Sequence, residues 1–116
     1  MFLGFNGRGF QQPSIKELDV TQLDSVRATH RFIDVRDPDE LPGPLGQIPG
    51  AENIPLDRLG RAAQDWDRSQ PLLLICQSGA RSGRGAAMLT SLGFEDAVNL
   101  RGGMVAHYTW RARQAA

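Results

Sequence analysis

The chain has little cysteine, lysine or tyrosine: one of each in 116 residues. A lone cysteine excludes an internal disulfide and leaves Cys76 as a buried structural thiol, a chance surface thiol or a working nucleophile. Long apolar runs are also missing. The longest, Leu72 to Cys76, is far short of the roughly 20 residues that a membrane-spanning helix needs, so no membrane role is expected. Neither sign of charge is in excess, with 13 Lys+Arg against 13 Asp+Glu and a pI near 6.7. No global field draws the chain to a polyanion, and nucleic acid is not an expected partner. The first ten residues, Met1 to Phe10, lack a basic segment followed by an apolar stretch, so they do not read as a secretory signal and a cytoplasmic protein is expected.

The length suits one domain with one core. Residues 1–13, rich in Gly, Phe and Gln, show neither helical nor alternating periodicity and read as an irregular arm, leaving 14–116 as the folded unit. From Ser14 short apolar runs alternate with helical patterns, which argues for a parallel sheet in an α/β fold. Strands are expected at Lys16 to Val20, Arg31 to Val35, Ala51 to Ile54, Leu72 to Cys76 and Ala97 to Leu100. Helices are expected at Thr21 to Ala28, Leu56 to Asp65, Ser82 to Leu92 and Met104 to Arg113, with Gly93 capping the third and Phe94 closing a contact behind it. Four prolines and three glycines between Asp37 and Gly50 make that segment a long loop.

The chemistry gathers in Leu72-Leu73-Leu74-Ile75-Cys76-Gln77-Ser78-Gly79-Ala80-Arg81-Ser82. A buried strand ends in a cysteine, a short loop follows and a helix begins, which places the thiol beyond the carboxyl end of a strand, where open parallel sheets bind ligands. Ser78, Gly79 and Ala80 are small enough for successive N–H groups to face inward as an anion nest, and the helix N-terminus adds partial positive charge. With Arg81 and Arg84 close by, this environment should favour the thiolate.

The segment Cys76 to Ser82 resembles the active-site loop of the rhodanese family of sulfurtransferases, Cys-x-x-Gly-x-Arg followed by Ser or Thr. Further segments resemble the same family in order: Ile33-Asp34-Val35-Arg36 with Glu40 beyond it, Ile48-Pro49-Gly50-Ala51, Leu92-Gly93-Phe94 and Leu100-Arg101-Gly102-Gly103-Met104. The resemblance runs from about Leu18 to Arg113. It implies a five-stranded parallel sheet flanked by helices on both faces. It also implies a thiosulfate sulfurtransferase-type enzyme in which Cys76 takes a sulfur from a small donor such as thiosulfate, becomes a persulfide and passes the sulfur to cyanide, a thiol or an acceptor protein. Gln77, Ser78, Gly79, Ala80, Arg81 and Ser82 would form the sulfur cradle, while Asp34 and Arg36 would support the neighbouring loop; no cofactor and no metal is implied. The alternative is a sulfur-relay or binding module with little turnover on free donors. Related phosphatases and arsenate reductases hold a larger oxyanion with five residues between Cys and Arg, whereas four separate Cys76 from Arg81.

Three further expectations concern single residues. Arg36 is expected to pair with Glu40. Asp37, Asp39 and Glu40 form an acidic cluster without a His or second Cys, which reads as a solvated turn and not as a metal site. His107 stands where the family commonly has tryptophan, with Trp110 one turn later, and both His107 and His30 are expected on the surface or in helix packing.

Overall fold

Five parallel strands form the centre of the protein in a computed structural model that describes residues 14–115. They are β1 (Lys16–Leu18), β2 (Arg31–Asp34), β3 (Glu52–Asn53), β4 (Leu72–Ile75) and β5 (Ala97–Leu100), in the order β1-β5-β4-β2-β3. Three α-helices cover the sheet: α1 (Leu56–Ala62), α2 (Ala80–Ser91) and α3 (Gly103–Ala115). The fold is therefore the expected α/β class with an all-parallel sheet. The expected arm over 1–13 lies outside the described residues.

The apolar run of β4 is buried throughout because both faces of the sheet are covered. Leu72, Leu74 and Cys76 face the core beneath α1 and α2, with Leu59, Ala63, Ala86 and Leu89. Leu73 and Ile75 face the other side, with Leu23, Ile48, Leu100 and Met104. This alternation is the two-residue period of a strand, and it assigns Cys76 to the α2 side.

The third and fourth helices agree with expectation to within two residues. Gly93, at φ +98°, ends α2: its N–H donates to Thr90 and that of Phe94 to Leu89, the paired bonds of a glycine helix stop. The first expected helix differs, since Val20–Val26 is a 3-10 helix. Val20, Thr21 and Val26 are β-branched and Asp24 and Ser25 compete for backbone bonds, so the segment tightens instead of forming an α-helix. The second expected helix is α-helical only to Ala62 and continues as a 3-10 turn over Ala63–Asp65.

The chain leaves β2 toward β3 at one edge, but leaves β4 toward β5 on the opposite side. Such a reversal opens a crevice at the carboxyl ends of the two strands. Arg36 emerges at one lip and Cys76 at the other.

Candidate functional site

Cys76 follows β4 directly, and the loop behind it turns its amides toward the sulfur. Gly79 adopts φ +101°, a conformation that glycine takes without strain, and its N–H lies 3.1 Å from Sγ. The Ser82 hydroxyl lies 3.2 Å from the same sulfur. Burial opposes ionisation of Cys76, yet the Ser82 hydroxyl and the amides of Ser82, Gly79 and Ser78 outweigh it and draw the thiol below its ordinary pKa. The stabilisation comes from these hydrogen bonds more than from the arginines named in the sequence. Arg84 is exposed, and the bonds of Arg81 go elsewhere, although the charge of Cys76 favours its protonated form.

The loop is held from behind by α3. Met104 N–H donates to the Cys76 carbonyl at 2.8 Å and Val105 N–H to the Gln77 carbonyl at 3.0 Å. Carbonyl and N–H point in opposite directions across a trans peptide, so fixing the Gln77 carbonyl on α3 aims the Ser78 N–H away from α3, toward the sulfur. Gly103 makes this approach possible. A Cβ there would come closer to the Cys76 carbonyl oxygen than van der Waals contact allows and would lie 2.7 Å from both the carbonyl carbon and oxygen of Gln77. In the sequence Gly102-Gly103 signalled only a turn.

Of the six residues expected to form a cradle, Ser78, Gly79 and Ser82 turn their amides to the sulfur. Gln77 lines the adjoining cleft instead, and Ala80 and Arg81 begin α2. Cys76 is 1% exposed. The cleft beside it, about 430 Å³, is lined by Arg36, Asp39, Glu40, Pro44, Leu45, Gln77 and Val105 among others, and not by Cys76 itself.

The expected Arg36–Glu40 pair is not formed. Arg36 folds back on Asp34, with Nε 3.0 Å from Oδ1 and Nη2 2.8 Å from Oδ2, and both residues are buried. Its Nη2 also donates to the Gly46 carbonyl at 2.9 Å, anchoring the long loop. Glu40 is carried the other way by the 3-10 turn Pro38–Glu40 and takes Arg81 in a bidentate pair at 2.7 and 2.8 Å. Asp37, Asp39 and Glu40 do bring carboxylate oxygens within 4.8 Å of one another, with Asp37 and Asp39 exposed, but both Glu40 oxygens are bound by Arg81.

The Arg81 guanidinium, aided by the Asp37 N–H, brings the Glu40 pKa down from 4.5 to about 2. A depressed carboxyl stabilises the fold above its unfolded pKa and loses that contribution as pH falls through the folded value. The stability difference between wild type and Glu40→Gln is therefore expected to be full above about 4.5, to shrink as pH falls and to vanish near 2. Urea unfolding across that window checks this, and a difference independent of pH would contradict it.

His107 is buried at 3% exposure, 6.2 Å from Trp110 between ring centroids, and its Nδ1 has no partner among the described residues. Burial, then Arg111 and Arg27, hold it below the ordinary histidine pKa. It packs the helix, as expected, in the interior. His30 is partly exposed with Nε2 3.4 Å from Asp96.

Asn99 was missed. It sits on β5, 2% exposed, and its Oδ1 receives the Ser82 hydroxyl at 2.5 Å. A lone polar residue within an apolar strand, Ala97-Val98-Asn99-Leu100, was the available signal.

A family model described as the Rhodanese-like domain matches residues 18–109, and the chain belongs to that family. It is 37% identical over 94 residues to the uncharacterized protein YqhL of Bacillus subtilis, spanning 81% of this chain and 73% of that protein. It is 32% identical over 95 residues to the thiosulfate sulfurtransferase GlpE of Shewanella oneidensis, spanning 80% and 92%. The solved structure of the human single-domain sulfurtransferase TSTD1 aligns with a TM-score of 0.69 at 28% identity, covering 78% of this chain and 92% of that one. Among the described residues no helix is long and apolar enough to cross a membrane.

Proposed function

We propose that the protein is a sulfurtransferase that carries sulfur as a Cys76 persulfide. Sulfur transfer in general is supported by the family and by relatives named sulfurtransferase at about 30% identity. The observation that carries the finer reading is the set of four donors, three amides and a hydroxyl, directed at one cysteine sulfur. Such donors stabilise charge on sulfur without having to reorient during reaction.

In the first half-reaction the Cys76 thiolate attacks the outer sulfur of thiosulfate. A Cys76 S–S bond forms, the bond between the two thiosulfate sulfurs breaks, and sulfite leaves with its electron pair. In the second, cyanide, a thiolate or the thiolate of an acceptor protein attacks the terminal sulfur, and Cys76 departs as thiolate. The first step begins and the second ends with the negative charge on Cys76 Sγ, the atom at which these donors point.

Reduced protein incubated with thiosulfate is expected to gain one sulfur atom by intact mass, to lose it on adding cyanide and to gain none as Cys76→Ser. No gain by a thiol that alkylates readily in the native state would overturn thiosulfate as donor. A thiol that resists alkylation until the protein unfolds would return Cys76 to a structural role.

One observation favours the relay reading. Arg36, which lines the cleft, and Arg81, at the start of α2, are each engaged by a carboxylate, and Pro44, Leu45 and Val105 give the cleft an apolar wall. This mouth offers a small dianion little attraction and suits an organic or protein-borne persulfide. Loading from a small alkyl persulfide without loading from thiosulfate would select it.

A further inference from the structure

The Ser82 hydroxyl has one proton and two acceptors. Its Oγ is 3.2 Å from Cys76 Sγ and 2.5 Å from Asn99 Oδ1. A hydroxyl donates once, so the proton serves one of them at a time. The Asn99 carboxamide cannot turn over to relieve the competition. Its Nδ2 donates to Glu17 Oε2 at 2.9 Å and to the Gly79 carbonyl at 3.2 Å, both groups that only accept, which leaves Oδ1 toward Ser82. Ser82 is fully buried and Asn99 nearly so, and a buried carbonyl oxygen without a donor is costly.

We infer that Asn99, locked by Glu17 and the Gly79 carbonyl, is a positioning residue that competes with Cys76 for the Ser82 proton and so keeps the sulfur nucleophilic. In the thiol state S–H donates to Ser82 Oγ and Ser82 donates to Asn99, and every group is satisfied. On ionisation the hydroxyl turns to the sulfur, and two oxygens are left facing each other with no proton between them. When a second sulfur is added, the negative charge moves outward from Sγ, and the hydroxyl returns to Asn99. The network thereby disfavours the resting thiolate relative to the persulfide and makes loading easier.

The inference rests on Cys76 being the working thiol, but its test needs no sulfur donor. The charged groups around the sulfur are Arg81 with Glu40 and Asp37, the Arg36–Asp34 pair at the end of β2, and, behind Asn99, Glu17 on β1, whose other oxygen accepts from Arg101 at 3.3 Å. Only Glu17 belongs to the network, so its charge must be separated from its role as acceptor.

The rate of Cys76 alkylation by iodoacetamide is measured against pH. Asn99→Ala is expected to move the midpoint about 0.5–1 pH unit toward acid and to lower the limiting rate at high pH, because the sulfur then keeps the Ser82 proton. In a Ser82→Ala background, Asn99→Ala is expected to move nothing. Glu17→Ala, which frees the carboxamide, is expected to shift the midpoint further than Glu17→Gln, which removes the charge but keeps an acceptor; this comparison serves if Asn99→Ala does not fold. A midpoint that stays or moves toward base in Asn99→Ala, a shift that persists without Ser82, or equal shifts in the two Glu17 variants would each overturn the inference. Persulfide loading can fail while these results hold, and the reverse, so the two readings are judged apart.

Discussion

Gly103→Ala is expected to be among the most damaging single-methyl additions available in this protein. Two costs combine. Gly103 has φ +56°, and an L-residue pays about 1–2 kcal/mol to occupy the left-handed region. The added Cβ also collides with backbone, the carbonyl of Cys76 and the peptide of Gln77, which cannot swing aside as a flexible side chain would. Overpacking of this kind costs about 1–3 kcal/mol, giving about 2–5 kcal/mol in total. Relief requires α3 to withdraw from the loop, which breaks the bonds from Met104 and Val105 and releases the Gln77 carbonyl that orients the Ser78 amide. Stability and sulfur loading should therefore fall together. Gly50→Ala is the control: it shares a positive φ of 89° but has nothing within 4 Å of the new methyl group. Chemical unfolding of both variants isolates the steric part, and equal losses at the two positions would show that the close approach of α3 is unimportant.

Arg36→Met is expected to cost about 3–5 kcal/mol, the usual result of leaving one member of a buried ion pair without its partner. Asp34 is 2% exposed and would keep its carboxylate with only the Arg36 backbone N–H, at 3.1 Å, still directed at it. The long loop would lose its anchor at the Gly46 carbonyl as well, and the cleft wall built from that loop would loosen. A domain typically has only about 5–15 kcal/mol of stability, so the variant should unfold at markedly lower urea and accumulate poorly. Replacing both partners, Asp34→Leu with Arg36→Met, should recover much of the loss, because the buried charge is then gone. A double variant as unstable as the sum of the two single ones would mean that the pair acts through packing and not through charge.

These two residues were legible in the sequence to different degrees. Arg36 stood out beside Asp34 in Ile33-Asp34-Val35-Arg36, but its expected partner was Glu40, four residues on, and that pairing was the wrong one. Asp37 and Pro38 begin a 3-10 turn that rotates Glu40 toward α2, while the backbone after β2 brings Arg36 back under the strand end. Local spacing could not show this, since the partner of Glu40 is 41 residues away. Gly103 was visible as a turn residue only.

The sequence by itself determined the alternation of strands and helices, the double-sided burial of β4, the glycine stop of α2 and the placing of one cysteine at the end of a buried strand before a loop of small residues. These follow from periodicity and backbone preference, which act over a few neighbouring residues. Tertiary structure alone decided that Glu40 takes Arg81, that α3 grips the carbonyls behind Cys76, and that Asn99 on β5 meets Ser82 on α2. Each depends on the strand order β1-β5-β4-β2-β3, which brings residues remote in the chain within hydrogen-bond distance and which no local pattern encodes.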